Sequence, residues 1–129
     1  MKKNITILFL LFSIGIFSQI IDPVKWSTSV KQNSETEYVL IATATIDEGW
    51  HLYSQNVPED GPIPTTFDFN IPKDGVSLIG KTTEEEGHTV DDPVFGMKIK
   101  FFENSAIFQQ KIKVTSQVNV INGIVEFMV

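Results

Sequence analysis

The sequence predicts an all-β protein, built as an antiparallel β-sandwich. Three observations favour this fold class. After the first 19 residues the apolar side chains recur with period 2 rather than 3.6, the β-branched and aromatic runs follow one another at spacings of roughly 8 to 12 residues, and Gly and Pro residues separate them. We therefore expect about eight or nine strands in one domain that spans residues 22–129.

The first two predicted strands have the most regular alternation. In "VKWSTSV" one face carries Val24, Trp26, Thr28 and Val30. In "YVLIATATI" one face carries Tyr38, Leu40, Ala42, Ala44 and Ile46, and the other carries the β-branched residues Val39, Ile41, Thr43 and Thr45. Apolar or β-branched residues on both faces are typical of a strand inside a sheet, so the second strand should be a central one.

The middle of the chain alternates short strands with loops. "GWHLYS" follows the turn residues Asp47 to Gly49 and predicts a short strand. "VPEDGPIPTT" contains three prolines and a glycine, which remove backbone donors, so it predicts a loop. "TFDFN" then places Phe67 and Phe69 on one face.

The second half of the chain continues the same pattern. "GVSLIG" predicts a short strand bounded by Gly75 and Gly80, and "KTTEEEGHTVDDPVFG" predicts a long polar, solvated segment. "MKIKFFE" and "AIFQQKIKV" alternate apolar residues with lysines and predict two more strands. Asn122-Gly123 is a strong signal for a two-residue hairpin turn, and it is followed by a last strand from Ile124 to Val129.

The first 18 residues are predicted to be a signal peptide. Lys2 and Lys3 precede an apolar run of 13 residues, Ile5 to Phe17, and Ser18 provides a small residue for cleavage. A permanent membrane anchor is the alternative, but it needs about 20 apolar residues. Export to the periplasm follows from this interpretation.

Charge and composition exclude several classes of function. The chain carries 16 acidic and 10 basic residues, a net charge of −6, and has no arginine. Such a surface repels phosphate backbones, so we expect no nucleic-acid partner. There is no cysteine, no Gly-x-Ser-x-Gly elbow and no Gly-rich phosphate-binding turn, so nothing in the sequence indicates a nucleophile or a cofactor site.

Metal ligands and aromatic surface residues are the remaining candidates. His51 and His88 are 37 residues apart, and "EEEGHTVDD" lacks the spacing of a calcium-binding loop, so we expect no metal site. We expect His51 to be a strand side chain and His88 to be a loop residue in solvent. In "GWHLYSQ" Trp50, His51 and Tyr53 are candidates for partner binding. In the alternative interpretation Trp50 and Leu52 simply point into the core.

Five segments together resemble a known family. They are "GWHLYSQ", "PEDGPIPTTFDF", "DPVFGMKIKFFE", "AIFQQKIKV" and "NGIVEFMV", and in this order they are similar to the N-terminal periplasmic domain of the thiol:disulfide interchange protein DsbD. The resemblance covers about Asp22 to Val129. It implies an immunoglobulin-like sandwich that takes electrons from a membrane-embedded donor domain and passes them to periplasmic thiol:disulfide proteins, as in cytochrome c biogenesis, within a full-length protein of the inner membrane.

The resemblance also implies where the active site lies. In the family two reactive cysteines follow a strand similar to "GIVEFMV", so the pair is expected directly after Val129 and this chain is expected to be a fragment. Without a thiolate the chain should be redox-inert by itself. A short loop with an aromatic residue covers the active-site disulfide in the family, and the matching residues here are Asp91, Asp92, Pro93, Val94, Phe95 and Gly96. Phe95 is the expected lid, and Val94 is the alternative.

Two other functions stay open on the sequence alone. An exported, non-enzymatic β-sandwich that binds a peptide or a sugar through "GWHLYSQ" and the Pro-rich loop would explain the absence of cysteine directly. A structural subunit of an envelope assembly would use the predicted final strand as an exposed edge.

Overall fold

The computed structural model describes residues 20–129, and the predicted signal peptide lies outside them. The described residues form nine strands and no helix, so the all-β prediction is confirmed. The strands are β1 (Val24–Gln32), β2 (Glu37–Ile46), β3 (Leu52–Tyr53), β4 (Thr66–Asn70), β5 (Val76–Glu84), β6 (His88–Asp92), β7 (Met97–Phe102), β8 (Ser105–Val114) and β9 (Asn122–Glu126). In this part of the chain nothing helical is present that could cross a membrane.

One layer of the sandwich is a four-stranded antiparallel sheet with the order β1-β2-β8-β5. The predicted central strand β2 lies between β1 and β8, with Ala42 opposite both Thr28 and Phe108. On β8 every second residue from Ala106 to Ile112 is buried, and the residues between them are exposed. This period-2 burial is what places one face of the sheet against the second layer.

The second layer consists of the three-stranded sheet β3-β7-β6 and the strand pair β4-β9, all antiparallel. These two parts are joined beyond the end of β9, where the Tyr53 N–H donates to the Met128 carbonyl over 3.4 Å. The last three residues, Phe127 to Val129, are partly buried. They therefore belong to the packed sandwich and are not a free tail.

The core between the layers is built around the Phe108 ring. Phe108 is 1% exposed, and its ring centroid lies 5.0 Å from that of Phe67, 5.6 Å from that of Phe102 and 5.8 Å from that of Trp26. Tilted and edge-to-face rings at these distances are a favourable aromatic arrangement. Burial of each such side chain contributes about 1.5–3 kcal/mol, so this cluster holds the two layers together.

Two expectations about local structure are wrong. The segment after Gly80 is not a long loop, because β5 continues to Glu84 and β6 runs from His88 to Asp92. Asn122 and Gly123 do not form a hairpin turn, since they lie within β9 opposite Asn70 and Phe69. A Cβ atom on Gly123 would lie 3.2 Å from the Phe69 ring, so this glycine serves a close approach between two strands.

Gln110 explains how β5 passes Gly80. The pairing of β5 with β8 is interrupted by a bulge between Ile79 and Thr83. The Gln110 side chain, 2% exposed, donates to the carbonyl oxygens of Ile79 and Gly80 and accepts from Thr82 Oγ1 over 2.9 Å. A buried amide thus pairs the backbone groups that the bulge leaves without strand partners.

Candidate functional site

The loop that the resemblance marks as a cap is a tight turn between β6 and β7. Asp91 and Asp92 belong to β6, and only residues 93–96 form the turn itself. The Asp92 carboxylate accepts hydrogen bonds from the Val94 N–H at 2.8 Å and the Phe95 N–H at 3.2 Å, and the Asp92 carbonyl accepts one from the Gly96 N–H at 2.8 Å. One side chain therefore fixes the whole turn.

The tip of this turn presents an apolar side chain to solvent. Val94 is 84% exposed, whereas Phe95 is partly buried. Gly96, at φ +67°, adopts the left-handed conformation that closes the turn. The turn thus exposes Val94 and holds Phe95 against the protein surface.

The final residues of the chain lie beside the loop of residues 58–63. Phe127 packs on Trp26 with ring centroids 5.5 Å apart, and Val129 contacts the buried core. Between them, the Met128 carbonyl accepts a hydrogen bond from the Tyr53 N–H, and the Met128 sulfur lies 3.3 Å from the Ile63 backbone nitrogen. Val129 is therefore held next to β3 and the Pro-rich loop.

The same Pro-rich loop also borders the cap turn. A Cβ atom at Gly61 would lie 3.3 Å from the sulfur of Met97 and 3.4 Å from Ile99. Met97 follows the cap turn directly, at the first position of β7. The loop of residues 58–63 therefore lies near both Met97 of β7, which follows the cap turn, and Met128 near the end of the chain.

The three candidate partner-binding residues lie in β3 and just before its start. His51 stacks on Phe101 with ring centroids 4.0 Å apart, and Tyr53 is opposite Phe101 in the sheet. Trp50 lies in the turn before β3, where its backbone N–H donates to the Asp47 carbonyl, and the residue is 37% exposed. The interpretation that Trp50 points into the core with Leu52 is therefore wrong for Trp50 and confirmed for Leu52, which is fully buried.

The two histidines meet at one carboxylate, which the sequence did not reveal. His51 Nε2 lies 2.9 Å from one Glu103 oxygen, and His88 Nε2 lies 3.9 Å from the other. His88 is on β6, whereas the sequence predicted that it lies in a loop. Over the residues that the structure describes, no three or more histidine, aspartate or glutamate side chains form a group able to hold a metal ion.

A buried polar network joins the two layers close to β3. Glu84 has a side chain that is 6% exposed, and its carboxylate accepts hydrogen bonds from Ser54 Oγ at 2.5 Å, the Gln55 N–H at 2.9 Å and Gln55 Nε2 at 3.1 Å. Lys100 Nζ lies 2.9 Å away and also donates to the Glu85 carbonyl. Burial raises the pKa of Glu84, but the hydrogen bonds from Ser54, Lys100 and Gln55 outweigh it and hold that pKa below its usual value.

The network fixes the part of β3 that faces the chain end. Ser54 is fully buried, its N–H donates to the Lys100 carbonyl, and the neighbouring Tyr53 carbonyl accepts from Thr65 Oγ1 at 2.6 Å. The run of three glutamates predicted a solvated loop, and nothing in the sequence marked Glu84 as the inward-facing one. Only the strand pairing of β5 identifies it.

Comparison with known protein families gives one match that covers the described residues. The family model described as "Thiol:disulfide interchange protein DsbD, N-terminal" matches residues 19–129. No curated protein and no solved structure matches the chain.

Proposed function

The chain belongs to the family of DsbD N-terminal domains, and from this premise we propose that it acts as a periplasmic electron relay in thiol:disulfide interchange. In this role it accepts electrons from a membrane-embedded donor domain of the same system and passes them to oxidised thiol:disulfide proteins of the periplasm. The family match over residues 19–129 is the observation that carries the proposal. Export by residues 1–18, an inner-membrane location of the full-length protein and a part in cytochrome c biogenesis belong to the same proposal.

The chemistry needs a cysteine pair, which the 129 residues do not contain. A thiolate attacks one sulfur of the partner's disulfide, a mixed disulfide forms, and the partner's other sulfur leaves as a thiolate. The second cysteine then resolves the mixed disulfide, so that two electrons have moved and the relay itself is oxidised. We place this pair after Val129, so these residues alone should be redox-inert.

The geometry around Val129 supports this placement. Met128 is tied to β3 through Tyr53, and β3 is held in turn by the Glu84 network at Ser54. Residues that follow Val129 would therefore start from a rigid position, beside the Pro-rich loop that also borders β7. A fixed starting point favours reproducible presentation of a reactive sulfur.

A cap next to an exposed disulfide has a physical purpose. Any thiolate that reaches the disulfide can exchange with it, so an apolar lid restricts exchange to partners that displace the lid. Val94 at the exposed tip and the partly buried Phe95 are the two side chains on the turn able to serve as that lid. Hydrogen bonds from the turn to Asp92 keep it in one conformation until a partner docks.

Sequencing the gene past Val129 tests the first part of the proposal, because a cysteine is expected at once and a second a few residues later. An unrelated continuation would overturn it. With the cysteine pair present, Phe95→Ala and Val94→Ala should each speed reduction of the domain disulfide by a small thiol such as dithiothreitol. Val90→Ala, on β6 but outside the turn, is the matched control and should leave the rate unchanged.

The exposed Trp50 favours a second candidate function, a non-enzymatic binding module. Exposed aromatic side chains are common in binding surfaces, and His51 on Phe101 adds a second flat surface nearby. Cysteine-independent binding of a peptide or sugar that is lost in Trp50→Ala would favour this function over the relay.

A further inference from the structure

The strand β1 leaves one long edge of the sandwich open. It pairs with β2 over its whole length of nine residues, Val24 to Gln32, and it is the outermost strand of its sheet. The strand contains no bulge, no proline and no glycine. The opposite edge strand, β5, is interrupted by a bulge at Gly80. Regular edges of this kind can accept a further strand, whereas bulged edges resist it.

An apolar groove lies between the inner face of the four-stranded sheet and the strand pair β4-β9, and it reaches β1 at the open edge. Its volume is about 200 Å³. The lining includes Trp26 and Val30 from β1, Phe67 and Phe69 from β4, and Val125 from β9. Val30 is 63% exposed at the mouth of the groove. The Trp26 indole N–H is buried and has no hydrogen-bond partner among residues 20–129.

The other face of β1 is basic, although the chain as a whole is acidic. Lys25 and Lys31 are on the face opposite to Trp26 and Val30, because side chains alternate along a strand. Lys31 is opposite Val39 and Val39 is opposite Lys111, so the backbones of two lysines lie about 10 Å apart with their side chains on this face. Lys25 is paired with Asp22 at 2.6 Å, whereas Lys31 has no ion pair within the described part of the chain.

We propose that the open edge of β1 is a docking site for an extended acidic peptide segment of another protein. The segment would add a fifth strand to the sheet by backbone hydrogen bonds. Its apolar side chains would alternate into the groove at Val30, and its carboxylates would face Lys31. The acidic remainder of the surface repels such a segment, which restricts its docking to this edge.

A second copy of this chain fits the edge less well. Two β1 strands paired antiparallel in full register, about Thr28, would place Lys25 opposite Lys31 of the other copy at both ends. Like charges directly opposite each other destabilise strand pairs. An acidic partner strand removes this repulsion and replaces it with attraction.

The proposed edge is separate from the relay site. The groove approaches the chain end, because its lining includes Val125 and Trp26, and Trp26 packs on Phe127. The backbone edge of β1 nevertheless includes neither the cap turn nor Val129, and docking of a peptide on it needs no cysteine. The proposal therefore stands independently of the relay function, and each can fail without the other.

Titration of the ¹⁵N-labelled chain with a synthetic peptide tests the proposal. The peptide matches β1 in length and alternates valine with glutamate, and a control peptide carries lysine in place of glutamate. Chemical-shift changes should be confined to β1, the groove and the Trp26 indole N–H. Lys31→Glu should weaken binding roughly fivefold and Val30→Glu roughly tenfold. Lys81→Glu, on the bulged edge strand β5, and Val90→Glu, on β6, are the matched controls and should change nothing.

Each of the following results would overturn the proposal. They are the absence of shift changes at millimolar peptide, shift changes centred on β6 or the cap turn, equal weakening by Lys81→Glu and Lys31→Glu, and association of the unliganded chain through β1 in sedimentation experiments. Equal binding of the lysine peptide would show that charge does not select the occupant, which also contradicts it.

Discussion

Replacement of Glu84 by glutamine should destabilise the protein far more than its place in a run of three glutamates suggests. The carboxylate takes part in four close contacts, with Ser54 Oγ, both nitrogens of Gln55 and Lys100 Nζ. A glutamine keeps the shape but turns an NH2 group toward donors and leaves the Lys100 ammonium without a counter-charge. Lost acceptors and an unpaired buried cation are both costly.

The size of the effect follows from burial. Removal of one partner of a buried ion pair costs about 3–5 kcal/mol. Lys100 is 23% exposed and keeps its hydrogen bond to the Glu85 carbonyl, so part of this cost is recovered by hydration. We expect Glu84→Gln to lower the free energy of unfolding by about 2–3 kcal/mol, which corresponds to a fall in Tm of about 8–15 °C for a domain of this size.

Urea unfolding and thermal melts followed by circular dichroism measure this effect. Glu86→Gln is the matched control, since Glu86 is exposed, and its change should stay within about 0.5 kcal/mol. Lys100→Met, introduced into the native chain and into Glu84→Gln, completes a double-mutant cycle. We expect a coupling free energy of about 1 kcal/mol or more between the two positions. Equal stabilities of Glu84→Gln and Glu86→Gln, or strict additivity in the cycle, would refute the argument.

Three further predictions follow from single contacts. The pKa of Glu84 is lower in the folded state than in the unfolded state. The contribution of Glu84 to the free energy of unfolding is therefore complete above the unfolded-state pKa of about 4.3, and it is lost as the pH falls through the folded-state pKa. The stability gap between the native chain and Glu84→Gln, measured by urea unfolding, should therefore narrow as the pH falls below the unfolded-state pKa, and a constant gap would contradict this. Gln110→Leu should cost about 1–3 kcal/mol in chemical denaturation, because the bulge carbonyls of Ile79 and Gly80 lose their donor; an unchanged midpoint would show that they are otherwise satisfied. Asp92→Ala should accelerate amide hydrogen exchange at Val94 and Phe95, whereas Asp91→Ala, which removes an exposed pair with Lys98, should leave both rates as they are.

The sequence predicted the strands whose burial is set by simple alternation. β8 is buried with an uninterrupted period of 2, and β2, whose two apolar or β-branched faces predicted a central strand, lies between β1 and β8. The residues Asn122 and Gly123 misled the prediction, because the local turn preference of Asn-Gly was overruled by pairing with β4 and the close approach of Phe69. The turn preference of a dipeptide carries no information on which distant strand it will pair with.

The parts of the site that depend on long-range pairing could not be predicted. Glu84 contacts Ser54 across 30 residues of sequence, and His51 and Glu103 meet only because β3 pairs with β7. The cap turn was easier to find, since Asp92, Pro93 and Gly96 are ordinary turn residues close together in sequence. Its exposed tip, however, is Val94, and the larger Phe95 is partly buried.

The strand order of the larger sheet also governs when the molecule can fold. β2 is made early in synthesis, yet its partner β8 spans residues 105–114, and the layer that covers both is completed only by β9. Pairings so distant along the chain form slowly, because much chain entropy is lost before the contacts that compensate for it are made. The early hairpin of β1 and β2 thus exposes its apolar face to water until β9 is available, and during that interval it is open to binding by a chaperone.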